Sequence, residues 1–218
     1  MIVTLVEAIT SGWQELQRQV EAGPDIPYDH EFTFQFHLAW AVTRLLNFSD
    51  RLNVRFEVPC GKDNNGETIR LDLLLWTDPA AKVAVELKAP LRSEDGKNSA
   101  MTQFRMRFYR DIHRLRDLVE SHHLGIREGV FLAVVNEKGY VVERNQRVNR
   151  EYRTYHGVHV DPSTVIPATD GPNGYPHEMR MPPHEIVWNW DCQKLAGDVS
   201  LLPGMRHFWL QPIVVRED

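Results

Sequence analysis

The chain has 218 residues, 42% of them hydrophobic and 25% charged, with a formal net charge of −5 at pH 7 and two cysteines. That length suits a single domain over 1–218 that buries its core without structural metals or disulfides, and the acidic balance excludes a simple polycation that coats nucleic acid. Cys60 and Cys192 lack CxxC spacing, which excludes a zinc knuckle or a disulfide framework and points to a reducing compartment, the cytoplasm.

In TLVEAITSGWQELQRQVEAG, Leu5, Ile9, Trp13, Leu16 and Val20 recur at steps of three or four, which predicts a covering helix over 1–22 that ends at Gly23-Pro24. YDHEFTFQFHLAWAVTRLLNF predicts a second helix, with Asp29 as N-cap and a core stripe of Phe34, Leu38, Val42 and Leu45. LNVRFEV alternates as a strand does, and the loop CGKDNNGET follows it. Next come two apolar runs, RLDLLLW and KVAVELK, joined by TDPAA. SAMTQFRMRFYRDIHRLRDLVESHH sets Phe104, Phe108, Ile112, Leu115 and Val119 on one helical face, with its arginines largely elsewhere, and GVFLAVVN reads as a further strand. Beyond residue 139 the pattern thins. Residues 161–184 carry six prolines and read as a long loop, while HEIVWNW and RHFWLQPIVV read as late strands. Helix, strand, strand, strand, helix, strand predicts an α/β domain with a central mixed sheet flanked by helices. The N-terminus has no basic leader, and no run is long enough to span a bilayer, so no membrane partner is expected.

The two apolar runs carry charges where core residues belong. Side chains alternate along a strand, so Glu86 and Lys88 share one face while Val83, Val85 and Leu87 take the other. In the preceding run Asp72 lies opposite in sense to Leu71, Leu73 and Leu75. A hairpin centred on Pro79 sets Asp72 across from Glu86, each seven residues from the centre, with Cβ atoms about 4.5–5.5 Å apart. Two carboxylates that close repel unless a cation joins them. Oxygen-only ligands suit Mg²⁺ or Mn²⁺ better than zinc. Lys88, on the same face, has the chemistry to orient or deprotonate an attacking water, or to stabilise charge developing on a phosphate. A register slipped by one residue would separate the carboxylates. The competing readings make Asp72 a structural partner of Arg70 or another arginine, and Glu86 with Lys88 the solvent face of an edge strand.

Asp72, thirteen intervening residues and Glu86-Leu87-Lys88, each half inside an apolar strand, resemble the D…ExK signature of the PD-(D/E)XK nuclease superfamily. The resemblance covers about residues 28–136, with Leu71 where the family often has proline. It implies a restriction endonuclease-like fold and a Mg²⁺-dependent phosphodiester hydrolase acting on nucleic acid, most simply a DNA endonuclease. It further implies that Asp72, Glu86 and the Leu87 main-chain carbonyl hold the metal and that Lys88 positions the attacking water. By the same resemblance Glu31 supplies an additional acidic group from the earlier helix, and Gln103 a supporting one from the later helix. No separate DNA-recognition domain is evident, and cutting both strands of a duplex would call for a homodimer.

Residues 101–160 contain eleven Lys/Arg against seven Asp/Glu, so one segment is locally basic. Arg105, Arg107, Arg110 and Arg114 are candidate phosphate contacts, which position a backbone without reading its sequence; the alternative is the solvated side of a helix. Tyr152 and Tyr155 either stack on bases or pack. The histidines, including HGVH and His122-His123, lack HExxH context. No GxSxG, GxxxxGK[ST] or GxGxxG occurs, which disfavours serine hydrolase, P-loop ATPase and dinucleotide enzyme. The reading from another class is a noncatalytic module that keeps the fold, pairs its ionic groups for stability and binds nucleic acid or a protein.

Overall fold

The computed structural model describes residues 3–22, 30–46, 52–63, 66–91, 101–143, 152–169, 175–191 and 207–217. In chain order these form α1 (Leu5–Ala22), α2 (Glu31–Leu45), β1 (Asn53–Lys62), β2 (Thr68–Asp78), β3 (Ala81–Lys88), α3 (Met101–Glu120) and β4 (Ile126–Val135). Short strands follow: β5 (Val158–Val160), β6 (Val165–Ile166), β7 (Met179–Arg180), β8 (Ile186–Trp188), β9 (Phe208–Trp209) and β10 (Ile213–Arg216). The described residues are α/β, with a mixed central sheet in the order β1-β2-β3-β4-β10 and β9 paired to β4. Two compact units make up the chain, Met1–Leu87 with Arg114–Phe131 and Val214–Asp218, and Lys88–His113 with Leu132–Ile213.

In the first unit α1 begins with a reciprocal cap. The Glu7 carboxylate accepts from the Thr4 N–H at 2.8 Å and the Thr4 hydroxyl accepts from the Glu7 N–H at 3.2 Å, which satisfies two amides at the helix start. The helix buries Ala8, Ile9, Trp13 and Leu16, while Leu5 and Val20 are half-buried. Gly12 faces α2 so closely that a Cβ there would stand 3.1 Å from Val42 Cγ2. α2 buries Phe34, Leu38 and Val42 as the stripe predicts, but Leu45, its last residue, is 45% exposed. Its N-cap is His30; Asp29, the expected cap, lies outside the described residues. Phe32, Phe36 and Trp40 form a second apolar row that is more than half exposed, so hydrophobicity runs around most of this helix.

Leu71, Leu73 and Leu75 of β2 and Val83, Val85 and Leu87 of β3 are buried in one row, and Leu74 and Ala84 are buried on the opposite face. Burial on both faces is why these strands read as near-continuous apolar runs. The hairpin's turn is held from the side. Lys82 Nζ donates to the Leu124 carbonyl at 2.7 Å. Gly125, at φ 78°, approaches Pro79 so closely that a Cβ would meet its carbonyl oxygen at 3.1 Å, so that position requires glycine.

In the second unit Phe108, Tyr109 and Ile112 of α3 are buried. Phe108 stacks on Tyr140 and Trp188 with ring centroids 5.8 and 6.0 Å away. The Trp188 indole N–H donates to the Tyr109 hydroxyl, which donates to the Arg153 carbonyl. Burial pushes the ionisation of this phenol well above its ordinary range. The segment read as one long loop contains a ladder, Val165 opposite Arg180 and Ile166 opposite Met179; residues 170–174 between them lie outside the described residues. Strands of two residues leave no period to read in a sequence. HEIVWNW does contribute β8, paired to β5.

Candidate active site

β2 and β3 are antiparallel, with Leu75 opposite Val83, Leu74 opposite Ala84 and Leu73 opposite Val85. Continued one further step, the same register would set Asp72 opposite Glu86. The alignment arises differently from the symmetric turn assumed in the sequence. Asp78 pairs with Ala81 around Pro79-Ala80, and a regular ladder from that turn would set Asp72 against Leu87. A register shift between Leu75 and Asp78 leaves Trp76 and Thr77 facing Lys82 alone, and this bulge restores the Asp72–Glu86 opposition.

Both carboxylates are buried, Asp72 at 7% exposure and Glu86 at 0%. Bare burial of such charges is costly, and protein groups compensate them here. Asp72 Oδ2 accepts the Leu87 backbone N–H at 2.7 Å. Glu86 Oε1 accepts from Arg114 Nε at 2.8 Å and lies 2.6 Å from Arg114 Nη2. This arrangement bears on two of the sequence readings. Arg114, predicted as a phosphate contact, is the counter-charge of Glu86, because one turn of α3 lies over that strand position. Nor is Glu86 on an edge strand: β3 stands between β2 and β4. Arg70 is exposed and donates to the Glu57 carbonyl at 2.9 Å. Glu31 is half-buried at the first position of α2, and Gln35, one turn later, is 2% exposed.

In the second unit Lys88 Nζ lies 3.5 Å from Asp111 Oδ2, the lysine side chain 12% exposed and the aspartate 0%. Arg110 Nε reaches Asp111 Oδ1 at 3.4 Å. Asp111 was missed in the sequence although the signal was present: it sits three residues after Phe108 and four before Leu115, in the core stripe of a helix whose other charges lie around it. Gln103 is half-buried in the first turn of α3. Arg105, the first of the candidate phosphate contacts, does not lie on a solvated face. It is 7% exposed, donates to the Gly139 carbonyl and to the Tyr155 hydroxyl, and lies 4.7 Å over the Tyr155 ring; its stem and charge are packed against aromatic residues. Arg107 lies 4.9 Å over Phe104. Tyr152 and Tyr155 are buried, so packing, not base stacking, is their role in this structure.

Asp72 and Glu86 offer hard oxygen donors from opposed strands, and the Leu87 carbonyl adjoins them in the chain. That set fits Mg²⁺ or Mn²⁺, which take one or two carboxylates and keep several waters. Among the described residues no group of three or more His, Cys, Asp or Glu is placed to hold a metal ion, so Glu31 makes no such cluster with the pair. Among them also, no helix is long and apolar enough to cross a membrane. No family model matches the chain, and no curated protein or solved structure matches it.

Proposed function

We propose that the protein is a metal-dependent phosphodiester hydrolase of restriction endonuclease-like fold, acting on nucleic acid and most simply on DNA. The observation that carries this reading is the burial of two carboxylates, Asp72 and Glu86, which the bulged β2–β3 register sets opposite each other when continued one step beyond Leu73 and Val85. Asp72, Glu86 and the Leu87 carbonyl would hold Mg²⁺ or Mn²⁺, which when bound polarises a phosphoryl oxygen and neutralises charge there. Lys88, two residues beyond Glu86 in β3, positions the attacking water by donating to it, and its ammonium lies 3.5 Å from Asp111 Oδ2. Gln103 and Arg107 stay candidates for a supporting group and a phosphate contact. Hydrolysis joins the water oxygen to phosphorus, breaks one ester P–O bond and leaves the departing hydroxyl with the proton.

The test is cleavage of supercoiled, linear, single-stranded and branched DNA in Mg²⁺, Mn²⁺ or EDTA, with Asp72→Asn as control. Asparagine retains an acceptor for the Leu87 N–H and removes the charge. Metal-dependent cutting that disappears in the variant is expected, and the ratio of nicked to linear plasmid reports whether sites act singly or in pairs.

A second reading has its own support. The Glu86–Arg114 and Lys88–Asp111 pairs compensate the strand's charges within the protein, as a noncatalytic binding module would require. A folded protein that cuts no substrate and binds DNA equally well in EDTA would select this reading.

A further inference from the structure

We propose that Arg114 is the resident counter-charge of the metal site: it holds Glu86 in the metal-free protein, and a divalent ion binds against its field. The inference rests on reading Asp72 and Glu86 as metal ligands.

Glu86 has no exposure to water, and the Arg114 side chain has 18%. The guanidinium meets this buried charge directly, so Arg114 favours folding of this strand before any metal arrives. The contact is unusual in form. Arg114 Nε and Nη2 converge on the single oxygen Oε1, whereas a fork-to-fork pair engages both carboxylate oxygens. Because both nitrogens meet Oε1, an ion that reached Oε2 could share Glu86 with the arginine instead of replacing it. The guanidinium then stays within a few ångströms of the ion and repels it. Arg114 thereby weakens metal affinity while protecting the metal-free fold. It also occupies one side of Glu86 with positive charge, which favours one ion per chain over two. Arg114 is a positioning residue in this account, acting through Glu86.

Calorimetric titration of Mn²⁺ into wild type, Arg114→Gln, Arg114→Lys and Asp72→Asn tests the proposal, alongside thermal unfolding in EDTA and in Mn²⁺. Arg114→Gln should bind one Mn²⁺ at least about tenfold more tightly, melt lower in EDTA and gain more from Mn²⁺ than wild type does, as ligand linkage requires. Arg114→Lys keeps the charge and should bind within about threefold of wild type; lysine as tight as glutamine would overturn the charge argument. If Arg114→Gln is unfolded in EDTA, circular dichroism should show it folding as Mn²⁺ is added, and failure to fold at saturating Mn²⁺ overturns the proposal. Equal or weaker binding by Arg114→Gln, while Asp72→Asn loses the ion, removes the role of Arg114 and leaves the metal site standing. Absence of Mn²⁺ uptake by every folded variant removes the metal-ligand reading itself, and this proposal with it.

Discussion

Glu86 and Lys88 stand two residues apart in one strand, yet their charges are met in different ways. In one unit Glu86 is fully buried and receives two arginine nitrogens at 2.6 and 2.8 Å, a charge-assisted contact at the short end of the normal range. In the other unit Lys88 keeps 12% of its side chain exposed and lies 3.5 Å from Asp111, beyond the usual hydrogen-bond distance. The Arg114–Glu86 contact is the closer of the two. A close contact on a fully buried carboxylate suits a group that must not move. It also implies unequal consequences when each pair is broken.

The largest effect is expected from Arg114→Met. Leaving a buried charge without its partner typically costs about 3–5 kcal/mol, and urea unfolding would measure it. Glu86→Gln should cost less, because it leaves behind an arginine that is partly in water; equal losses in the two variants would show that burial does not govern the pair. Asp72→Ala comes next. It strands the Leu87 N–H, which now donates at 2.7 Å to the carboxylate, and an orphaned buried donor costs about 1–3 kcal/mol; Asp72→Asn should recover most of that. Lys88→Met should be milder, about 1 kcal/mol, because Arg110 also reaches Asp111 at 3.4 Å. A loss as large as that of Arg114→Met would mean that the two pairs are equivalent and erase the contrast.

The smallest effect concerns the α1 cap. Hydrogen bonds from Thr4, the backbone N–H first, hold the Glu7 carboxyl below its ordinary range. A folded-state pKa below the unfolded one adds stability that is present above the unfolded value, about 4.3, and is lost as pH falls through the folded value. Wild type should therefore melt slightly above Glu7→Ala at neutral pH, and the two melting curves should converge in acid. A gap that widens on acidification would contradict that sign.

Much of the fold was legible where one period dominated. The β2–β3 hairpin announced itself because both faces are buried, and α1 and α3 because each has one apolar stripe. α2 was only half legible: Phe32, Phe36 and Trp40 are as apolar as Phe34 and Leu38, so the pattern alone could not decide which row is covered. The ladders β5–β8 and β6–β7 are two or three residues long and depend on tertiary contacts that no local pattern records. At the candidate site the Asp72–Glu86 opposition was legible although its cause was not, since the bulge at Trp76-Thr77 offsets the true turn centre by one residue. The protein groups that meet these charges were not legible. Arg114 and Asp111 lie on α3 beyond a connection of twelve residues from β3, and a strand pattern does not show which helical side chains will lie over it.

The most direct test of the central claim is anomalous scattering from crystals grown with Mn²⁺. The account predicts a single peak within coordination distance of Asp72 and Glu86 carboxylate oxygens, with Arg114 still on Glu86 Oε1. Well-ordered crystals at saturating Mn²⁺ with no peak there, and the carboxylates engaged only by protein groups, would contradict it.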